Sequence, residues 1–302
     1  VSDLTGALVA RSHFPPPGAP IACAVSGGRD SLALLLLARA AGCVPTAYHV
    51  DHGLRPGSAA EAGVVARAAA ALGCAFVPLT VECAPGPNLE ARARAARVAV
   101  LPAGTATGHT ADDQAETVLL NVLRGTGPDG LRGMRPGPRH PILTLRRAET
   151  DALVAASGLE VVEDPTNHDP AIRRNRVRHE LLPLIASIAE RDVVPLLTRL
   201  ADLLAADVDL LEELAEEVDE RSVASLRAAP LPLRRRAIRR LLRAPGSPGA
   251  PGYPPDAGAV ARVLDVVDGL ARACEVRGGA RVRRSSGRLF FEVPSETSGS
   301  IR

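Results

Sequence analysis

Residues Ser26, Gly27, Gly28, Arg29, Asp30 and Ser31 join a short apolar run, Ile21–Val25, to a longer one, LALLLLARAAG, that ends at Gly42. A buried strand that feeds a helix through two glycines gathers backbone N–H groups at the positive end of the helix dipole. That arrangement is a cradle for phosphate. It is not the nucleotide loop G-x-x-x-x-G-K-S/T, because the chain contains no lysine at all. A carboxylate at Asp30 would be repelled by phosphate unless a cation lay between them. Mg²⁺, which takes one or two carboxylates plus phosphate oxygens, is the natural candidate. The helix dipole would favour an acidic residue there in any case.

A second cluster is HTADDQAE at 109–116. Thr110 and Asp113 fit a capping box, but Asp112 and Glu116 need another reason. On a helix Asp113 and Glu116 are three apart and Asp112 and Glu116 four apart, so they share one side and repel unless a cation joins them. The third cluster, DPTNHDPAIRRNRVR at 164–178, sets Arg173, Arg174, Arg176 and Arg178 around Asn175. Guanidinium groups at a helix start are unfavourable unless an anion neutralises them, and a phosphate of ATP or RNA is the expected anion. HVDHGLR adds His49, Asp51, His52 and Arg55. A His–Asp–His cluster could bind a metal, but no third spaced His or Cys supports zinc, so it reads as a loop beside the nucleotide, with Arg55 toward phosphate or RNA.

The elements that must position these clusters alternate. Strands are expected at Ile21–Val25, Thr46–Val50, Ala75–Val81 and, briefly, in AGTATGH. Helices are expected after Asp30, from Ser58 to Gly73, over LEARARAARVAVL and over TADDQAETVLLNVLRG. The pattern predicts a doubly wound parallel sheet, α/β in class, with ligands beyond the carboxyl ends of the strands. All three motifs that end strands, SGGRDS, HVDHGLR and GHTADDQ, then fall on one site. After a short helix, DALVAASG, from Asp151, a mainly helical part follows, with a basic stretch LRRRAIRR and a Pro/Gly linker at 244–257. A hairpin turning at Ser285–Gly287 and a disordered tail close the chain. The expected domains are 1–185 and 186–302.

Composition sets limits. Aromatic residues are 2% of the chain and apolar residues 46%, so the core must be built of Leu, Val and Ala. The net charge of +2 implies no polyanion by itself. Five cysteines without a CxxC pair argue against a disulfide framework, a zinc site or a cluster, and for buried thiols in a reducing compartment. No signal peptide is evident, and the run Leu32–Leu37 is too short to span a membrane, so a cytoplasmic protein is expected.

Taken together the motifs resemble one family. SGGRDS matches SGGxDS, the pyrophosphate loop of enzymes that cleave ATP between its α and β phosphates. With HVDHGLRPGS at 49–58, NLEARAR at 88–94, GHTADDQAETVLL at 108–120, GLRGM at 130–134 and DPTNHDPAIRRNRVRHELLP at 164–183, the chain resembles the short form of the tRNA(Ile)-lysidine synthetases. Two departures stand out. Val98 follows Arg97 where the family usually has an aromatic, and only Leu101–Ala106 separates that helix from TGH.

The resemblance implies that ATP adenylates the wobble cytidine of an isoleucine tRNA with anticodon CAU, and that free L-lysine then displaces AMP at C2. ATP would lie on Ser26, Gly27, Gly28, Arg29, Asp30 and Ser31, with magnesium on Asp30. Lysine would meet Asp112, Asp113 and Glu116. The catalytic set would be Asp30, His109, Asp113, Glu116 and Arg178, with Glu116 or His109 as the base. Arg55, Arg174, Arg176, Arg234, Arg235 and Arg236 would hold phosphates or RNA. A homodimer is left open. Two rivals remain: a tRNA thiolase, for which the paired cysteines are missing, and a non-enzymatic ATP sensor, which would need neither the acidic trio nor the arginine block.

Overall fold

The computed structural model describes residues 2–51, 53, 58–81, 89–244, 256–276 and 279–292. Arg55, His52, one of the five cysteines (Cys83), most of the 244–257 linker and the tail lie outside the described residues. The chain divides into two compact units, Val1–Leu204 and Ala205–Arg302, and the division falls within a helix rather than at residue 185.

The first unit runs α1 (Ser2–Ala10), β1 (Pro20–Ala24), α2 (Arg29–Ala40), β2 (Val44–Asp51), α3 (Ser58–Ala71), β3 (Ala75–Thr80), α4 (Leu89–Val100), β4 (Ala106–Thr107), α5 (Ala111–Leu123), α6 (Pro128–Leu131) and α7 (Arg147–Ser157). A 3₁₀ turn at Pro165–His168 follows. Then come α8 (Arg173–Arg176), a wider π-helical turn at Val177–Leu181, α9 (Leu182–Ala189) and α10 (Val194–Glu216), which carries the chain into the second unit. The expected α/β class is the one observed.

The four strands are parallel in the order β3-β2-β1-β4. The chain winds outward from β1 through β2 to β3 and then returns to the other side of β1. This leaves the carboxyl ends of β1 and β4 flanking the topological switch point, where such sheets bind ligands. The short spacing before TGH has its consequence here. β4 is two residues long and pairs only Cys23 with Ala106 and Ala24 with Thr107.

Helix α2 is apolar nearly all round because it is covered nearly all round. Leu32, Leu34, Leu35 and Leu37 are fully buried among Ile21, Cys23, Ile142, Leu145, Leu153 and Val154. α7 packs on α2 and begins at Arg147, not at Asp151. The RRAE stretch opens the helix, with Glu149 accepting from the backbone N–H of Arg146 at 2.8 Å.

The second unit holds α11 (Val223–Ala228), α12 (Leu231–Arg243), α13 (Ala257–Asp268) and an antiparallel sheet β5 (Ala273–Glu275), β6 (Arg281–Ser285) and β7 (Arg288–Glu292). Its own core includes Leu226, Ile238, Leu241, Val263, Val282 and Leu289. The hairpin turns on Ser286 and Gly287, both left-handed at φ 47° and 73°. That is the two-residue turn whose twist matches the strands.

Gly108 decides how close the two strand-end loops come. A Cβ there would lie 2.6 Å from the carbonyl oxygen of Asp30 and 3.0 Å from the amide of Ser31. Gly108→Ala should therefore push β4 away from the first turn of α2, at a cost of about 1–3 kcal/mol. Urea unfolding measures this, and an unchanged midpoint would mean that the two loops are not in close approach.

Candidate active site

Gly27 turns the chain after β1 with φ +89°, and Val162 packs where its side chain would be. The amide of Val162 donates to the Gly27 carbonyl at 3.0 Å, so the 161–163 segment covers the loop. The Ser31 hydroxyl accepts the Ser26 amide at 3.2 Å and donates to the Gly28 carbonyl at 2.7 Å. His49, buried inside β2, bonds the Val25 carbonyl at 2.9 Å and fixes the entry to the loop. The first-turn amides of α2 have no acceptors within the helix and are available to an anion. Arg29 stands outward, 3.3 Å from Glu163.

A cleft of about 800 Å³ opens above this loop. Ser26, Gly28, Asp30 and Ser31 form its floor, and Ala24, Val25, Tyr48, Val50, Val98 and Leu101 form an apolar wall. His109, Asp113, Arg147, Asp151 and Arg178 line the opposite side. SGGRDS and GHTADDQ thus do share one site. Val98, at the position where the family usually carries an aromatic ring, lies in the apolar wall.

The acidic helix and the arginine block answer one another. The capping box of α5 forms, with Asp113 accepting from the Thr110 amide at 2.9 Å. Glu116 is 0% exposed and lies against three guanidinium groups: Arg174 at 2.7 Å, Arg178 at 2.6 Å and Arg147 at 3.2 Å. Asp113 receives Arg147 at 3.0 Å, Arg174 at 3.3 Å and Arg178 at 3.4 Å. Asp112 faces Arg146 through two hydrogen bonds, at 3.1 and 3.2 Å, and accepts the Arg147 amide at 2.8 Å.

The cation that joins the carboxylates is therefore the chain's own arginine. For Arg174 and Arg178, the anion expected to be a phosphate is Asp113 and Glu116. Burial pushes the Asp113 carboxyl upward, but Arg147, Arg174 and the Thr110 amide outweigh it and hold it below the usual range. Asp112 is lowered in the same way, against its burial, by Arg146 and the Arg147 amide.

Arg146, Arg147 and Thr150 were not among the residues expected from sequence. The signal was present: an acidic trio without lysine or metal ligands demands arginines, and RR opens the next helix. Gln114 and Asn175 were also passed over. Gln114 donates to the Met134 carbonyl at 2.9 Å and accepts its amide at 2.8 Å, which ties GLRGM to α5. Asn175 holds the carbonyls of Thr166 and Asp169 at 2.7 and 2.9 Å.

Three further arginines expected at phosphates pair with carboxylates of the chain. Arg176 is exposed and pairs with Glu180 at 2.9 Å, one turn on. Arg236 is 7% exposed and salt-bridged to Glu212 at 2.8 Å. Arg234 pairs with Asp268. Only Arg235 of that triplet is exposed. Among the described residues no group of three or more His, Cys, Asp or Glu is arranged to hold a metal.

Magnesium at Asp30 is consistent with its donor set. Thr150 donates to one carboxylate oxygen at 2.5 Å and Arg147 reaches the other at 3.4 Å. Burial raises the Asp30 pKa to about 6. Asp113 and Asp151 add to the rise, while the Thr150 hydroxyl and Arg147 oppose it. A carboxylate so under-compensated is one that gains by meeting a further cation.

A parallel sheet with a glycine turn and helix N-terminus at its switch point, above a nucleotide-sized cleft, defines a pyrophosphate-loop ATP-binding domain. The family model described as a PP-loop domain matches residues 9–185. The fold alone is also shared with the U34-tRNA thiolase NcsA of Methanococcus maripaludis, at TM-score 0.51 and 15% identity over 67% of this chain and 79% of that one. Sequence resolves the family. The chain is 38% identical to the tRNA(Ile)-lysidine synthase of Nocardia farcinica, covering 89% of this chain and 87% of that protein. It is 44% identical to that of Leifsonia xyli (76% and 78%) and 39% identical to that of Salinispora tropica (92% and 91%). It belongs to the tRNA(Ile)-lysidine synthase family.

The raised Asp30 pKa has a signed consequence for stability. The native state holds this proton more tightly than the unfolded chain, so the Asp30 contribution falls as pH rises from 3.8 through about 6. Above that, the buried charge is a net cost. Asp30→Asn should therefore melt higher than wild type above pH 6 in metal-free buffer, with the gap closing toward pH 3.8. Each kcal/mol recovered would read as about 2–4 °C. A pH-independent gap would place the cause outside Asp30.

Proposed function

We propose that this chain ligates free L-lysine to C2 of the wobble cytidine in the CAU anticodon of isoleucine tRNA, consuming ATP to AMP and pyrophosphate. The observation that carries the reading is one cleft that holds a pyrophosphate cradle and an acidic wall together, in a chain whose relatives are tRNA(Ile)-lysidine synthases.

Adenosine would lie along Ala24, Val25, Tyr48 and Val98. The phosphates would rest on Ser26, Gly27, Gly28 and Ser31, with Arg29 at the edge. Asp30 would hold the magnesium ion, which when bound neutralises the phosphates of ATP. Arg178 and Arg147, which line the cleft, would meet the charge that develops as pyrophosphate leaves. Arg174 holds Asp113 and Glu116 in place behind them.

The acceptor of lysine is narrowed by burial. Glu116 is fully buried and its oxygens face three guanidinium groups, so it serves as the anchor of the wall and not as the proton acceptor. Asp113 lines the cleft and is the carboxylate an ammonium group can reach, with Asp112 behind it. His109 lines the cleft as well and is assigned as the base. Free lysine, with an ε-amine pKa of about 10.4, must lose a proton before it attacks.

Arg235 and Arg176 are outward arginines suited to RNA phosphates, and Arg55 is retained as a candidate outside the described residues. A tRNA substrate places the work in the cytoplasm; no helix among the described residues is long and apolar enough to cross a membrane. A homodimer is part of the proposal. Leu184 and Ile188 on α9, exposed at 56% and 75%, would give such a contact apolar area.

Incubation with isoleucine tRNA, ATP, Mg²⁺ and lysine, followed by mass spectrometry of the nucleosides, tests the reading. Lysidine should form, with pyrophosphate released only when tRNA is present, and Asp30→Ala should abolish both. With a sulfide donor added in a parallel incubation, sulfur on the base would favour the thiolase; ATP binding without turnover would favour a sensor.

A further inference from the structure

His109 is not alone behind the cleft wall. Its Nδ1 lies 2.7 Å from the hydroxyl oxygen of Thr107, and the same oxygen lies 2.9 Å from Nδ1 of His140. The two rings meet edge to face with centroids 5.2 Å apart. The backbone holds the arrangement in register, because the Thr107 amide donates to the Arg139 carbonyl at 3.0 Å, directly before His140. The Thr107 hydroxyl also lies 3.2 Å from that carbonyl. Thr107 and His109 line the cleft, while His140 is half-buried and is not part of the lining.

A hydroxyl between two imidazoles is a proton conduit, since it donates once and accepts twice. We infer that Thr107 and His140 form a relay that drains the proton His109 takes from the lysine ammonium group. The inference rests on the proposed lysine transfer and deepens it.

The bookkeeping closes. Before transfer, His109 donates its Nδ1 hydrogen to the Thr107 oxygen, Thr107 donates its own to Nδ1 of His140, and His140 carries hydrogen on Nε2. The ammonium group gives one proton to Nε2 of His109 and keeps the electron pair of that N–H bond, which becomes the nucleophile. The Nδ1 hydrogen of His109 passes to Thr107, and the Thr107 hydrogen passes to His140. The positive charge then resides on His140, which releases its Nε2 proton to water. Without the relay His109 would remain an imidazolium beside the reacting amine. Thr107 and His140 are positioning residues in this scheme and do not touch lysine.

Several charged groups face His109. Asp113 on α5 is close enough for the two to interact electrostatically. Asp30 on α2, Arg147 and Asp151 on α7, and His168, Arg178 and His179 share the cleft lining. Thr107 lines the cleft as well, and His140 packs against it.

The test uses the full-length chain and adenylated tRNA formed in place, and follows lysine-dependent AMP release in single turnover. Thr107→Val keeps the shape and the strand preference but removes the hydroxyl. It should leave tRNA-dependent pyrophosphate release within about twofold of wild type. It should slow the lysine step tenfold or more near pH 7, as expected when about 10²–10⁴ is at stake in general-base catalysis. The deficit should shrink to about threefold at pH 9.5, where free lysine carries more neutral amine. Thr107→Ser should restore the rate, and His140→Gln should copy Thr107→Val.

Nitrogen-15 NMR of labelled histidine should also find His109 protonated at Nδ1 in the resting protein. An unchanged lysine step in Thr107→Val and His140→Gln overturns the relay. So does an equal loss at every pH with no rescue by serine. Failure of the wild type to release pyrophosphate with tRNA would instead overturn the reading on which the relay rests.

Discussion

The first unit is organised around a buried charge. Glu116 has no exposed surface, and a lone carboxylate there would cost several kcal/mol of desolvation. It is tolerated because guanidinium groups from three stretches of chain converge on it: Arg147 at the start of α7, Arg174 in α8 and Arg178 in the π-helical turn. Each of them also reaches Asp113. Arginine suits this because its planar fork bridges two carboxylates at once, which an ammonium group does poorly. The same contacts fix the cleft. They set α5 against α7, bring Arg147 to Asp30, and tie the 164–178 segment to α5.

Much of this arrangement was legible in the sequence, and what was not has a physical reason. Alternation of strands and helices, the glycine turn and the capping box at Thr110 are local features, written in consecutive residues. The acidic trio and the arginine block were each legible as unfavourable charge clusters in need of partners. That they are one another's partner was not, because 58 residues separate Glu116 from Arg174 and pairing over that distance is decided by the fold. Arg147 escapes notice for a related reason: a helix expected from Asp151 leaves it outside, whereas α7 starts four residues earlier, at Arg147. Arg234, Arg235 and Arg236 look alike in sequence. Helical geometry turns Arg236 inward to Glu212 and leaves Arg235 in solvent.

The split between anchor and chemistry also follows from burial. A group that must exchange protons or ligands has to be reachable, and a group that holds elements together is best saturated. Asp30 and His109 line the cleft. Glu116 does not. Cys23 follows the same rule: it is buried in the sheet, and burial pushes its pKa up to about 12, so it has no use as a nucleophile. A sulfur-transfer reading gains nothing from it.

The central claim is that the Glu116 cluster, and not the sheet alone, holds the cleft wall together. Equilibrium urea unfolding of Glu116→Gln beside wild type tests it most directly. Removing one partner of a buried ionic cluster leaves the others uncompensated, and a loss of about 3–5 kcal/mol is predicted. A loss below about 1 kcal/mol, the range of an exposed ion pair, would contradict it and place the integrity of the wall elsewhere.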